Sequence, residues 1–317
     1  KRFLLFGINQ EDKVIALTIN EKEDPIGSRF PKLDKDLNLS TLYSHDLSLI
    51  SPFDELQTKM KNITGKWHSS IKLKSIAKGP QPCKGNQCGG WTLEALLGIE
   101  MNSRKTPDFR GIEIKSYKKS PITLMTPEPD GVGERASMTF REYLHTFGKK
   151  SEKKIGRITF TGPFWVSRPD LKKDYYLRLV GFDSSKKNPF DFNDIFVGLF
   201  RESDDKLVSS WTGNKLLEHW IQKHSEALYV EYESRSLVND IGETVLQYRF
   251  KEKCIYCKGT TLNKFFDALD KNLVGYDPID EIYPDGREKR RSQWRVTVPK
   301  FRKNKDVLYD HTETINM

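Results

Sequence analysis

Apolar residues alternate with polar ones, or run unbroken for a few positions, in two short stretches at the start of the chain. RFLLFGIN and KVIALTIN read as two strands joined by the polar turn QEDK. The following EKEDPIGSRFPKLDKDLNLS is polar and rich in breakers, so residues 1–50 are expected to form a small β-rich N-terminal segment. The period then changes. Phe53, Leu56, Met60 and Ile63 recur at helical spacing behind a Ser-Pro start, and Gly65 stops the run. A loop of Pro, Gly and Cys reaches Gly90. WTLEALLG then predicts a short helix with Thr92 as its cap, Leu93, Leu96 and Leu97 inward, and Gly98 at its end.

GIEIKSY and PITLMTP read as neighbouring strands. RITFTG, YYLRLVGFD, IFVGLF, EALYVEYES, ETVLQYRF and SQWRVTV read as further strands. MTFREYLHTFG, GNKLLEHWIQKH and LNKFFDALDKN carry the helical period. Interleaved helices and strands predict an α/β fold over residues 51–317, a mixed sheet flanked by helices. There is no internal repeat and no low-complexity segment.

A chain of 317 residues can bury a sizeable core. No stretch of 18 apolar residues exists to span a membrane. The opening KRFLLFGINQEDK has too short an apolar run and no small-residue cleavage site for a signal peptide, so a cytoplasmic location is expected. The net charge is +9, which suits a polyanionic partner, though charge also serves solubility. KSYKKS, KKSEKK and REKRRSQWR concentrate that charge, as contacts to nucleic acid or as solvated faces. The four cysteines form two close pairs, Cys83/Cys88 and Cys254/Cys257. Together they would complete one tetrahedral zinc site; otherwise they are ordinary reduced thiols.

The chemistry concentrates in TPDFRGIEIKSYKK. In a strand, Glu113 and Lys115 share one face while Ile112 and Ile114 turn to the core and fix the register. Asp108 precedes the strand across a bend that Gly111 eases. Two carboxylates and the main-chain carbonyl of Ile114 suit Mg²⁺, which keeps water and takes substrate phosphate as further ligands. Lys115 would orient or help deprotonate that water, or offset phosphate charge. The pattern points to phosphodiester hydrolysis; its alternative is a surface Glu–Lys pair beside a loop aspartate. No P-loop, GxGxxG, HExxH or Cys/His spacing competes. His68, beside Trp67, reads as a structural histidine.

Thr92-Leu93-Glu94-Ala95-Leu96-Leu97, then Pro107-Asp108-Phe109, then Ile112-Glu113-Ile114-Lys115 resemble the core of the MvaI/BcnI family of type II restriction endonucleases. That family lies in the PD-(D/E)XK superfamily and is related to the repair nickase MutH. The resemblance is strongest over about residues 91–119 and extends in order over about 53–298. It touches Trp67-His68, ITLMTP, FREYLHTFGKK and the late WRV. It implies that Asp108 and Glu113 bind the metal, that Lys115 is catalytic and that Glu94 assists. It also implies a monomeric, Mg²⁺-dependent endonuclease acting on double-stranded DNA, leaving 5′-phosphate and 3′-hydroxyl ends, with a DNA methyltransferase as companion. A MutH-like nickase or a non-catalytic DNA-binding protein on the same fold are the alternatives. Lys118 and Lys119 are candidate phosphate contacts, and Arg287, Arg290, Arg291 and Arg295 candidate groove or phosphate contacts. Asp277 and Asp280 are candidate acceptors from cytosine; the alternative is a charged hairpin that only attracts backbone or touches nothing. The cysteines, and YDPIDEIYPDGREKRRSQW near the C-terminus, depart from the family pattern.

Overall fold

The computed structural model describes residues 2–8, 14–20, 37–39, 42–44, 51–85, 87–101, 106–119, 121–166, 174–190, 195–238 and 242–317. The chain divides into Lys1–Ser51 and Pro52–Met317. In the first unit, Arg2–Ile8 pairs antiparallel with Val14–Asn20 as the sequence predicts; the QEDK turn lies outside the described residues. A second small pair, Leu37–Leu39 with Leu42–Ser44, starts within the stretch read as breaker-rich.

In the second unit the organising element is a strand of 13 residues, Glu226–Val238. Its first half pairs in parallel with Glu113–Tyr117 and, on its other edge, antiparallel with Lys253–Lys258. Its second half pairs antiparallel with Thr244–Phe250, which pairs with Trp67–Ser69. His311–Asn316 closes the far side against Lys253–Lys258.

Side-chain alternation splits the core between the two faces of this sheet. Helices α1 (Pro52–Ile63) and α2 (Cys88–Leu97) cover one face: Leu56, Met60, Leu93 and Leu97 pack with Ile114, Leu228, Val230 and Phe250. Farther along come α3 (Phe140–Phe147), α4 (Gly213–His224), α5 (Leu262–Asp270) and α6 (Val298–Leu308). Trp220 of α4, Phe265 of α5 and Phe301 of α6 are fully buried in the other cluster, with Ala227, Tyr229 and Cys257. Each such side chain contributes about 1.5–3 kcal/mol of burial.

Three expectations are corrected. Helix α2 begins at Cys88, so Thr92 lies within it rather than capping it. Cys-Gly-Gly reads as a breaker, yet a Cβ on Gly89 would meet the Tyr232 ring at 2.5 Å. Close packing overrides the low helix propensity of glycine there. The hydroxyl of Thr92 instead donates to the Ile71 carbonyl and accepts from the Ile71 amide, both at 3.1 Å. Second, Ile122–Met125 does not pair with Glu113–Tyr117; it pairs antiparallel with Trp294–Val296. Third, the strands Lys206–Thr212, Lys253–Lys258 and His311–Asn316 and helix α6 are additional to those predicted. Lys253–Lys258 is buried on both faces, which erases its alternation. Helix α6 carries Pro at its start, a legitimate first-turn position rather than a break.

The remaining strands form smaller antiparallel sheets. Tyr175–Val180, Phe196–Arg201 and Lys206–Thr212 make one. Lys149–Lys150, Ile158–Thr161, Ile279–Ile282 and Glu288–Lys289 make another.

Candidate active site

Phe109 and Ile112 exchange both main-chain hydrogen bonds, at 2.9 and 2.8 Å, closing a turn whose central residues are Arg110 and Gly111. Both have positive φ, 45° and 99°, the conformation such a two-residue turn needs and the one glycine adopts freely. The Arg110 side chain forms an ion pair with Glu55 of α1. The turn folds Asp108 back beside the strand, where its Oδ2 accepts the Ile114 amide at 3.1 Å. That amide points away from the parallel partner strand, and the Ile114 carbonyl shares its side of the chain, the open edge.

Ile112 and Ile114 are buried in the α1/α2 face. Glu113 and Lys115 therefore lie on the opposite face. Lys115 Nζ donates to Glu113 Oε1 at 2.6 Å, and Lys223 Nζ, from the last turn of α4, approaches the same oxygen at 3.4 Å. Glu113 is 1 % exposed, and its Oε2 is buried with no hydrogen-bond partner. Glu94 enters from α2, next to Gly90, where a Cβ would sit 3.9 Å from its carboxylate.

The charges act as one cluster. Burial and then the Asp108 carboxylate push Glu94 up to about 7. Burial and then Glu113 raise the Asp108 carboxyl above its ordinary value. For Glu113 burial is again the largest influence and works upward, but the Lys115 ammonium, its hydrogen bond and Lys223 together outweigh it and hold the carboxyl below its ordinary value. Burial, the largest influence, likewise opposes the charge on Lys115, and Glu113, Asp108 and Glu94 together outweigh it, so the ammonium keeps its proton. Behind Lys223, burial and then Lys115 push His224 down to about 3. Its neutral ring bridges the Leu124 carbonyl and the Tyr309 hydroxyl at 2.9 and 2.8 Å, a structural use.

Asp108, Glu113, Lys115 and Glu94 thus gather at one strand edge. Among the described residues no three His, Cys, Asp or Glu side chains are set to hold one ion. An ion with two carboxylates and several waters is the Mg²⁺ pattern. The unpartnered Glu113 oxygen and the mutually repelling carboxylates suit such a cation. Lys223 had no signal in the sequence: a lysine in a last helical turn ordinarily serves the helix dipole.

The four-cysteine zinc site does not form. Cys83 and Cys88 are joined in a disulfide, and Cys254 and Cys257 are free and buried. Three apart on one strand, these two face opposite sides of the sheet, in different core clusters, and cannot share an ion. Burial pushes the Cys254 thiol up to about 12 and Cys257 higher, disfavouring the thiolate that zinc needs.

Lys118 and Lys119 are exposed, Lys118 donating to Ser234 Oγ at 2.8 Å. Arg287 pairs with Asp285, Arg290 with Glu288, and the Arg291 amide donates to Asp280. Arg295, expected as a groove or phosphate contact, and Asp277, expected as an acceptor from cytosine, pair with each other at 2.8 Å. Asp280 is 1 % exposed and pushed up to about 6 by burial, so it faces no groove. A ring nitrogen of His68 contacts the Ile63 carbonyl at 2.7 Å, the structural role expected.

The sequence pattern of the MvaI/BcnI restriction endonuclease family matches residues 57–306. Among solved structures, the chain is similar to the restriction endonuclease MvaI–cognate DNA substrate complex. The TM-score is 0.60 at 18 % identity, over 83 % of this chain and 98 % of that one. It also matches MvaI in the absence of DNA, with a TM-score of 0.43 at 18 % identity, over 86 % and 100 % of the two chains. Among curated proteins, none matches. No described helix is long and apolar enough to cross a membrane.

Proposed function

Since the chain belongs to the MvaI/BcnI restriction endonuclease family, a nuclease family acting on DNA, we propose that it is a type II, Mg²⁺-dependent, site-specific endonuclease of PD-(D/E)XK type. It cuts double-stranded DNA to 5′-phosphate and 3′-hydroxyl ends. The observation that carries the reading is the buried Glu113 carboxylate, with one oxygen on Lys115 and the other unpartnered, beside the folded-back Asp108.

Asp108, Glu113 and the Ile114 carbonyl would hold Mg²⁺. When bound, Mg²⁺ polarises the scissile phosphate and acidifies a coordinated water. Lys115, held as an ammonium by Glu113, orients the attacking water and offsets charge building on the phosphate oxygens. In this role it donates hydrogen bonds and keeps its proton, so it does not act as the base. Lys223 adds a second cation on the same carboxylate. Glu94, raised to about 7 by burial and the Asp108 carboxylate while no cation is bound, would assist the metal site from α2. Attack at phosphorus breaks the P–O3′ bond, leaving the phosphate on the 5′ side. A monomer is proposed on the resemblance to the family alone.

Supercoiled plasmid incubated with Mg²⁺ is expected to yield discrete fragments whose sequenced ends share one motif. EDTA is expected to stop cutting. Asp108→Ala is expected to bind DNA without cutting it. A wild-type protein that binds but leaves plasmid intact in Mg²⁺ would refute the reading.

A further inference from the structure

We propose that the sheet formed by Lys149–Lys150, Ile158–Thr161, Ile279–Ile282 and Glu288–Lys289 carries a preorganised binding site for the phosphate backbone of double-stranded DNA, assembled on the buried carboxylate of Glu281. The proposal rests on the nuclease reading and adds residues which that reading does not use.

Glu281 is 3 % exposed. Lys289 donates to it at 2.9 Å and Lys154 at 3.1 Å, and Arg157 stands at 3.6 Å. A single cation neutralises a buried carboxylate; three, from two different hairpins, leave a surplus of positive charge held in place. Burial works to protonate Glu281, but Lys289 and Lys154 hold it down at about 2, so the anchor stays an anion at any working pH. The array is braced a second time. The Arg157 guanidinium lies 4.1 Å over the Tyr283 ring, with Arg287 at 5.0 Å. The Tyr283 hydroxyl returns to Glu281 at 3.3 Å.

Beside this array runs a groove of about 570 Å³ whose wall carries Lys149, Lys150, Lys153 and Lys154 together with the carboxylates of Glu152, Asp277 and Glu281, of which Asp277 is paired with Arg295 and Glu281 with the array itself. Lys150 and Lys153 are exposed and, among the described residues, form no ion pair. Nothing folded requires their charge. Lysines are point charges without the fork that matches a base edge, so this surface suits a repeating line of phosphates rather than a sequence. It is also tied to the carboxylate site through the chain. Gly275–Tyr276 pairs with Trp294–Val296, which pairs with Ile122–Met125, the strand following Glu113–Tyr117.

The test is metal-free binding, in EDTA, of two 20-bp duplexes of unrelated sequence, followed by fluorescence anisotropy across a salt series. The variant K150A/K153A/K154A is expected to lose roughly tenfold affinity on both duplexes. Its slope of log affinity against log salt should fall by about 2–3, near 0.9 per phosphate contact removed. K150E/K153E, which touches only the two unpaired lysines, is expected to lose more with its melting temperature unchanged. An unchanged salt slope in both variants overturns the proposal, as does a loss confined to one duplex. Plasmid cutting by the wild type with Mg²⁺ reports separately on the nuclease reading. Cutting with lysine variants that bind normally removes the array and leaves the nuclease; lysine-dependent binding without cutting does the reverse.

Discussion

Lys115 Nζ lies 2.6 Å from Glu113 Oε1, and the two residues stand two apart on a strand that forms the edge of its sheet. The pair is nearly sealed: the side chains are 20 % and 1 % exposed. In such a place each charge is viable only because of the other, and burial alone would neutralise both. The partner that stabilises Glu113 in the free protein is also the cation that the proposed reaction needs at the phosphate.

Lys115→Met is therefore expected to do two things. Glu113 loses its nearest cation, so its carboxyl rises and the fold weakens by about 3 kcal/mol, moderated because Lys223 remains. Cutting is expected to fall by at least about 100-fold, the usual cost of removing a preorganised charge. Denaturant unfolding and single-turnover cleavage measure the two separately. A variant that cuts at the wild-type rate would remove Lys115 from the mechanism.

Lys223→Met tests the cation contributed by α4. At 3.4 Å from the same oxygen it is the weaker partner. The expected loss is roughly tenfold in kcat with little change in KM, because the charge is felt as negative charge develops on the phosphate. A rise in KM alone would make Lys223 a ground-state DNA contact.

Glu94 supplies a pH signature. Its carboxyl is raised from about 4.5 to about 7 in the folded protein. The folded state thus binds the proton more tightly than the unfolded chain. The cost of ionising Glu94 is absent below about pH 4.5, grows between there and 7, and is fully present above 7. Metal-free Glu94→Gln is expected to be more stable than wild type at pH 8, by roughly 2 kcal/mol, and equal to it near pH 4.5. Thermal melting of both proteins across that range in EDTA checks the sign. A variant less stable at pH 8 would mean that Glu94 has a partner that favours its anion.

The strand Glu113–Tyr117 was legible because its alternation is clean: Ile112 and Ile114 inward fix Glu113 and Lys115 outward. Asp108 was placed in the right neighbourhood by Gly111, though not in the turn that folds it back, since the positive φ of Arg110 has no sequence signal. Helix α1 followed from its stripe, with Leu56, Met60 and Ile63 buried. What failed is what depends on distant partners. The start of α2 is set by Tyr232 lying on Gly89, 143 positions away in sequence by their numbers. The pairing of Ile122–Met125 is set by Trp294–Val296. Lys223 reaches Glu113 across 110 residues, and no local period encodes that. The cysteine spacings suggested zinc, because spacing cannot tell that Cys254 and Cys257 point to opposite faces.

The cysteine chemistry can be counted directly. Thiol titration of the native protein is expected to find none reactive, since Cys83 and Cys88 are joined and Cys254 and Cys257 are buried. Unfolding without reductant is expected to expose two thiols, and reduction all four. Elemental analysis of the same sample is expected to find no stoichiometric zinc. One equivalent of zinc, released together with four thiols, would restore the tetrahedral site.

Thr92 tests whether the helix that carries Glu94 is held from behind. Its hydroxyl both donates to and accepts from the main chain of Ile71, each at 3.1 Å, and the residue is fully buried. Thr92→Val keeps the shape and removes the hydroxyl, leaving both Ile71 groups without that partner. The expected cost is about 1–3 kcal/mol in urea unfolding. Thr92→Ser retains the hydroxyl and loses one methyl, so it should recover most of that difference. Thr92 stands two positions from Glu94 on α2 and is assigned no contact with DNA. Cutting by the valine variant, well below its melting temperature, should therefore keep its KM, while kcat falls as far as the helix shifts Glu94. A valine variant as stable as wild type would mean that packing by Leu93 and Leu97 alone fixes α2, and that the threonine is dispensable to its placement.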